Sequence, residues 1–371
     1  MMEFFFDFAA PDQSFWEAYE HLWYNSKYKS SFQAPHFLRY LASLVFGTLV
    51  TVTCYKNGVL LGATFFYKRG NIYHFLSDMK TDHNFFILDR NITSEETDVY
   101  FDKLVREIEA RKWNLRLNNL PFWASYTESL LKALRKSRLF FQVTRYNPCL
   151  VLEEATPEEL YQATNKQKLR QKLNRLKDQG DVQFDVYEKD EHLDHWLNEY
   201  YEAHIRRWAD TPTPSQFVST DRRDFYKSCL QAWIADEIVV RFSIKLDDKR
   251  IAFVVAVIEN GYLVHHSTTF DPDYEKQSPG LIIINLIGKW MAERGMTKME
   301  FGDGGEKYKY QFSKTELPLN QIFISQPHNY PFILHTRLVQ FMWEHQEAHK
   351  FYSNKLRPKL LRYHYLKKII T

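Results

Sequence analysis

The pattern that most narrows the fold of this chain is an internal repeat. Leu49 to Phe75 reads as strand, turn, strand, turn, strand, around Lys56-Asn57-Gly58 and Lys68-Arg69-Gly70-Asn71. Val239 to His265 reads the same way, around Asp247-Asp248-Lys249 and Glu259-Asn260-Gly261. The two stretches superimpose at an offset of 190 residues, Gly62 on Ala252 and Ser77 on Ser267. Each is followed by helical periodicity that ends in a short strand: Val99 to Arg111 then Leu115-Arg116-Leu117, and Gly280 to Arg294 then Met299-Glu300-Phe301. The repeat is one of pattern more than of identity. It predicts an α/β protein of two similar lobes, each a mixed, mostly antiparallel sheet flanked by helices.

The 371 residues, 44% hydrophobic and 26% charged, suffice for two cores. The expected division is a first lobe over 1–150, a connecting basic helix over 151–181, a second lobe over 182–328 and a helical basic tail over 329–371. Thr156-Pro157-Glu158-Glu159 has the form of a capping box with proline at the first helical position. The helix it opens is expected to continue through Leu169, Leu173 and Leu176 to Gly180. A second helix, about Asp190 to Trp208, carries an aromatic stripe, and Arg222 to Ala235 reads as a third. The longest apolar runs, Ile251 to Ile258 and Leu281 to Ile284, fall far short of the roughly 20 residues of a membrane span. Phe4, Phe5 and Phe6 follow no basic region, as a secretory signal would require, so a cytoplasmic location is expected. Cys54, Cys149 and Cys229 offer neither a disulfide framework nor a zinc spacing, and no metal is expected.

The formal charge of +3 is uneven. From Ala348 onward there are seven Lys/Arg and no Asp or Glu, leaving about −4 for the rest, which argues against a protein that coats nucleic acid. Within that tail Leu356, Leu360, Leu361, Tyr365 and Ile369 have an amphipathic spacing suited either to packing on the body or to peripheral contact with an anionic membrane surface. The basic helix presents Lys166, Lys168, Arg170, Lys172, Arg175 and Lys177 around a narrow leucine seam, either as a solvated face or as an anion site between the lobes. His345-Gln346-Glu347-Ala348-His349 is not a metalloprotease helix, because its glutamate stands at the third position and not the second.

Two segments carry candidate chemistry. Asp271 to Ile282 reads as a strand exit, a loop and a helix start, with Ser278 able to cap and Pro279 suited to the first turn. The amides of a helix N-terminus favour an anion such as phosphate. Gln277, Ser278, Pro279, Gly280 and Leu281 are the candidate cofactor-binding residues, and Gln277-x-x-Gly280 is similar to the opening of the pyrophosphate loop of GNAT acetyltransferases. Ile282 departs from the small residue found at the loop's sixth position. Only 12 residues are glycine, yet six of them lie between Gly280 and Gly305. Gly302-Asp303-Gly304-Gly305-Glu306-Lys307-Tyr308-Lys309 therefore reads as a functional loop, gathering carboxylates, a phenol and lysines where a strand ends.

Phe32-Gln33-Ala34-Pro35-His36-Phe37-Leu38, Leu115 to Pro121, Lys166-x-Lys168-x-Arg170-x-x-Leu173-x-Arg175-Leu176, His204-x-x-Arg207-Trp208, Ser278-Pro279-Gly280 and Gly302 to Phe312 follow one another as in the CelD-like acetyltransferases, which the chain resembles over nearly its whole length. That GNAT-superfamily group is related to the FemAB/FemX aminoacyltransferases and often associated with cell-surface polysaccharide formation. The resemblance implies two tandem GNAT-like lobes and acyl transfer from acetyl-CoA or another acyl-CoA. The implied acceptor is an amine or hydroxyl of a small-molecule or lipid-linked sugar, an envelope or polysaccharide precursor. Glu306, Tyr308 and Lys309 match the family's loop, Gly305 stands where it carries Asp, and Asp303 is the stand-in carboxylate. Tyr308-Lys309-x-x-Phe312 also resembles the late Phe-Lys-x-x-Phe element of Fem proteins, which use charged tRNA, so tRNA is the alternative donor. A non-catalytic scaffold of envelope assembly is the alternative from another class. His265 or His266, before the cofactor loop, and His204, on an apolar helix face, are candidate bases, each with a packing role as its alternative. Asp82 matches the family's Asp-Tyr element with His83 replacing Tyr, and with Lys168, Arg170, Arg207 and Trp208 it is expected to bind substrate.

Overall fold

The computed structural model describes residues 2–45, 47–77, 81–211 and 214–345. The basic tail and all but the first residue of the His345 to His349 motif lie outside the described residues.

The first lobe comprises β1 (Met2–Asp7), α1 (Gln13–Asn25), α2 (Pro35–Ser43), β2 (Leu49–Lys56), β3 (Val59–Arg69), β4 (Ile72–Phe75), β5 (Ile87–Leu88), α3 (Ser94–Ala110), β6 (Asn114–Pro121) and α4 (Thr127–Lys136). A 14-residue strand, β7 (Phe140–Glu153), leads through α5 (Pro157–Thr164) and α6 (Gln167–Lys177) into the second lobe. There follow β8 (Val182–Tyr187), α7 (Leu193–Trp208), α8 (Thr220–Ala235), β9 (Val239–Leu246), β10 (Lys249–Glu259), β11 (Tyr262–Phe270), α9 (Pro279–Glu293), β12 (Lys298–Asp303), β13 (Thr315–Ser325) and α10 (Tyr330–Glu344).

The repeat emerges as read. Asn57-Gly58 and Asn260-Gly261 both place two consecutive residues at positive φ, the geometry that joins antiparallel strands by a tight hairpin. In each lobe the meander ends in a strand that pairs in parallel with the strand after the intervening helix, β4 with β6 and β11 with β12.

The lobes share one sheet, ordered β1-β2-β3-β4-β6-β13-β7-β12-β11-β10-β9-β8, with β5 pairing β3 off this path. At its centre the lobes exchange strands: β13 pairs with β6 of the first lobe, β7 pairs with β12 of the second, and β13 and β7 run antiparallel along Thr315 to Ser325. The division expected after residue 150 falls inside β7. Packing crosses the lobes as well. Trp233 on α8 donates to the Ser31 carbonyl at 2.8 Å and stacks on Phe37 at 5.0 Å, within a core that draws on both halves.

One expected element is divided. The single helix predicted from Thr156 to Gly180 breaks at Asn165 and Lys166, where Lys166 is extended. The cause is tertiary. Thr164 packs so closely on Gly288 of α9 that a Cβ there would lie 2.0 Å from its hydroxyl, and Asn285 of α9 donates to the Thr164 carbonyl and to Asn165 Oδ1. The Thr164 carbonyl is thus met by a side chain at the break, and α6 turns along the start of α9.

Candidate active site

β11 and β12 pair through only two residue couples, Leu263 with Met299 and Val264 with Glu300, although β11 continues to Phe270 and β12 to Asp303. The parallel strands therefore part toward their C-terminal ends. In α/β sheets the carboxyl ends of parallel strands are where ligands are received.

On one side of this opening lies the start of α9. Ser278 sits in the left-handed region, at φ 57° and ψ 51°, and does not cap the helix as expected. Its hydroxyl is bonded by Lys172 of α6, whose ammonium also lies 3.5 Å from the Lys276 carbonyl. The first turn of α9 contains no acidic residue, so the helix start and Lys172 together favour an anion. Gly280 is needed for closeness, since a Cβ there would lie 3.1 Å from the Phe270 ring. Pro279 is buried, while Gln277 and Leu281 are partly exposed beside it. Ile282 is wholly enclosed in the second-lobe core, so its bulk faces away from the helix start.

On the other side the glycine loop is held rigidly. Gly302 has φ +66° and Gly304 φ +105°, both in the region that favours glycine. A side chain at 302 would also press on the Asp82 carboxylate, 3.1 Å from where its Cβ would be. Lys309 is buried, with Nζ donating to the carbonyls of Asp303 at 2.9 Å and Gly304 at 3.0 Å and pairing with Glu306 at 2.8 Å. This makes Lys309 a positioning residue for the loop, whereas the Glu306 side chain is more than half exposed.

The first lobe completes the site. Gln33 clamps Phe85 through both backbone groups, at 2.7 and 2.8 Å, and Asn119 donates to the Thr81 carbonyl at 2.7 Å. The segment between them projects Asp82 across the lobe boundary, where it accepts from the Asp303 amide at 3.0 Å and lies 3.2 Å from His266 Nδ1. His266 is itself wedged against Phe32 and Trp233, with ring centroids 5.1 and 5.3 Å away.

These contacts separate the two carboxyl groups electrostatically. Burial acts to raise the Asp82 carboxyl, but the His266 hydrogen bond, the nearby imidazoles and the Asp303 amide hold it below its ordinary value. Burial, and after it the Asp82 charge, push the Asp303 carboxyl up to about 6. Asn147 bonds the Asp303 carboxyl and partly offsets this rise, while Oδ1 has no hydrogen-bond partner among the described residues, so a proton acceptor near neutral pH keeps one oxygen unpartnered. His265, by contrast, is buried and brought down to about 4, by burial first and then by the Lys309 charge, which makes it a weak base. Tyr308 is raised by burial and stays a neutral phenol.

The remaining candidates lie around this centre. Arg207 donates to the Thr268 carbonyl at 3.3 Å and lies over the Phe270 ring at 4.2 Å, bridging the Tyr308 side of the site to the α9 start. His204 lies 2.8 Å from Ser215 Oγ, stacked on Trp208 and edge-on to Phe217, in an aromatic cluster. Lys168 and Arg170 are exposed on α6, with Arg170 donating to the Asn165 carbonyl at 2.8 Å. The pairing of Asp82 with His266, and the clamp formed by Gln33 and Asn119, joined residues that sequence reading held apart. The motif residues Gln33 and Asn119 were the available signal.

Residues 163–310 match the model of the acetyltransferase (GNAT) domain. No curated protein matches the chain in sequence. Among solved structures, FemX is similar at 10% identity over 86% of this chain and 98% of its own, with a TM-score of 0.61. L-PGS from Bacillus licheniformis is similar at 13% identity over 89% of this chain and 98% of its own, with a TM-score of 0.56. A conserved protein of unknown function from Bacteroides thetaiotaomicron is similar at 13% identity over 86% of this chain and 100% of its own, with a TM-score of 0.57. The second lobe therefore carries a GNAT-type acetyltransferase domain, set in a two-lobed fold that FemX shares.

Proposed function

We propose that the protein transfers an acetyl or other acyl group from acyl-CoA to an amine or hydroxyl of a cell-envelope or polysaccharide precursor. The observation that carries this reading is the Asp303 carboxyl, raised to about 6 and with one oxygen unpartnered, beside parted parallel strands in a GNAT-type domain. The α9 start and Lys172 would receive the donor's phosphates. Asp303 would remove the proton from the acceptor as it attacks the thioester carbon, forming the new C–N or C–O bond while the C–S bond breaks. Tyr308, a phenol kept protonated by burial, is the candidate donor of a proton to the departing thiolate. Asp82 would act by position, fixing the Asp303 amide and raising its carboxyl. Arg207 and Trp208, with Lys168 and Arg170 nearer the solvent, remain the proposed acceptor-side contacts, and His204 a secondary base. A peripheral membrane contact through the basic tail belongs to the same reading, and no described helix is long and apolar enough to cross a membrane.

The likeness to FemX along almost all of that chain supports a second reading, aminoacyl transfer from charged tRNA. Titration calorimetry with acetyl-CoA, longer acyl-CoAs and free CoA, on the native chain and on Gly280→Leu, separates the two. Micromolar binding lost in the variant supports acyl-CoA as donor. Absence of binding to every CoA species, with turnover on charged tRNA, would replace the first reading by the second. Absence of both would favour a scaffold that retains the fold.

A further inference from the structure

Behind the glycine loop, His83, Cys149 and Glu300 meet from three distant segments: the stretch between β4 and β5, strand β7 and strand β12. One nitrogen, one sulfur and one oxygen, a ligand atom from each, all lie within 4.8 Å of one another. The three residues are buried, at 1%, 0% and 1% exposure. His83 Nε2 and Glu300 Oε1 pair at 2.8 Å, Glu300 also bonds the Cys149 thiol, and His83 Nδ1 makes no hydrogen bond among the described residues. A ring nitrogen left without a partner at this depth is costly. The surroundings add negative charge, with Glu259 and Asp82 also acting on His83 from buried positions. An imidazole, a thiol and a carboxylate converging in a closed interior form a donor set suited to zinc, which takes N, S and O ligands together.

We propose that His83, Cys149 and Glu300 bind one zinc ion, with water as the fourth ligand, pinning the first lobe's Asp82 segment to the two central strands of the second. As placed, imidazole and carboxylate are in closer contact than a bound ion allows. Tetrahedral zinc with bonds of about 2 Å holds its ligand atoms about 3.3 Å apart, so loading needs a side-chain separation of roughly half an ångström. The thiol and the imidazole would each release a proton as the metal binds. The role is structural: His83 adjoins Asp82, and Cys149 faces Asp303 in the β7 to β12 register.

The test uses the full chain, unfolded with a chelator and refolded with excess zinc or cobalt, because the site closes on folding. Mass spectrometry for metals should find one zinc per chain, and the cobalt form should show a thiolate-to-metal absorption band. Cys149→Ser should remove the band and lower occupancy at least tenfold, while Cys54→Ser and Cys229→Ser leave both unchanged. Should Cys149→Ser fail to fold, His83→Gln and the cobalt spectrum of the native chain decide the question. A refolded chain with native circular dichroism and no stoichiometric metal, a cobalt form without the thiolate band, or full occupancy in Cys149→Ser would each overturn the proposal.

Discussion

The two lobes repeat the same helix between their parallel strands, yet begin it in opposite ways. In the first lobe α3 opens with a complete capping box. The Thr93 hydroxyl accepts from the Glu96 amide at 3.2 Å, the Glu96 carboxylate accepts from the Thr93 amide at 3.1 Å, and Glu95 joins it in the first turn. The positive end of that helix is thus occupied by its own side chains. In the second lobe α9 opens on Ser278, Pro279 and Gly280 with no side-chain cap and no acid, and Lys172 stands beside it. A duplicated architecture can therefore keep one helix start sealed for stability and leave the other receptive to a ligand. The proposed catalytic duties divide in a similar way, with Asp303 supplied by the second lobe and Asp82, which bonds its amide, by the first.

The comparison breaks most visibly if catalysis does not depend on the second lobe's carboxylate. Asp303→Asn should lower kcat by about 10²- to 10⁴-fold, the usual contribution of a general base, with circular dichroism unchanged. In the native enzyme kcat/KM should fall about tenfold per unit below roughly pH 6 and level off above it, because only the ionised carboxylate accepts a proton. The stability sign runs opposite to activity. The folded chain binds this proton more tightly than the unfolded chain, so the stabilisation is complete below the ordinary value of 3.8 and is lost as the pH rises through about 6. Urea titrations of Asp303→Asn across that window should show a flatter pH dependence than the native chain.

Next in size, Gly280→Leu should weaken acyl-CoA binding tenfold or more by colliding with Phe270, while Ser94→Leu at the start of α3 leaves it unchanged. Equal losses at both positions, measured by calorimetry, would abolish the distinction between the lobes. Lys172→Ala should reduce the affinity a few-fold, with a smaller loss at high salt, since the contribution is electrostatic and partly exposed. The smallest effect belongs to the sealed helix. Glu96→Ala should cost about 1 kcal/mol of stability in denaturant unfolding and should not touch ligand binding.

Much of this was legible from residues alone, because it rests on local chemistry. Asn-Gly pairs announce hairpins through their tolerance of positive φ, and scarce glycine gathered at Gly302 and Gly304 marks the loop that requires it. The partnership of Asp82 with His266 and Asp303 was not legible, since it depends on how a segment clamped by Gln33 and Asn119 reaches the other lobe. The break at Asn165 escaped for the same reason. Its cause is the fit of Thr164 on Gly288 and the hydrogen bonds from Asn285, more than a hundred residues away. The exchange of β7 and β13 leaves no periodic trace, because each reads as an ordinary strand whatever its neighbour. Ser278 reads as a cap by residue type, but the proximity of Lys172 gives its hydroxyl another partner.

The strand exchange also dictates when this protein can finish folding. During synthesis the first lobe leaves the ribosome with β6 as an open edge, because the strand that covers it, β13, is encoded almost 200 residues later. Pairings of such long sequence separation form slowly, and an exposed edge invites association with other nascent chains in the interval. Insertion of β13 between β6 and β7 then joins the two halves of the sheet.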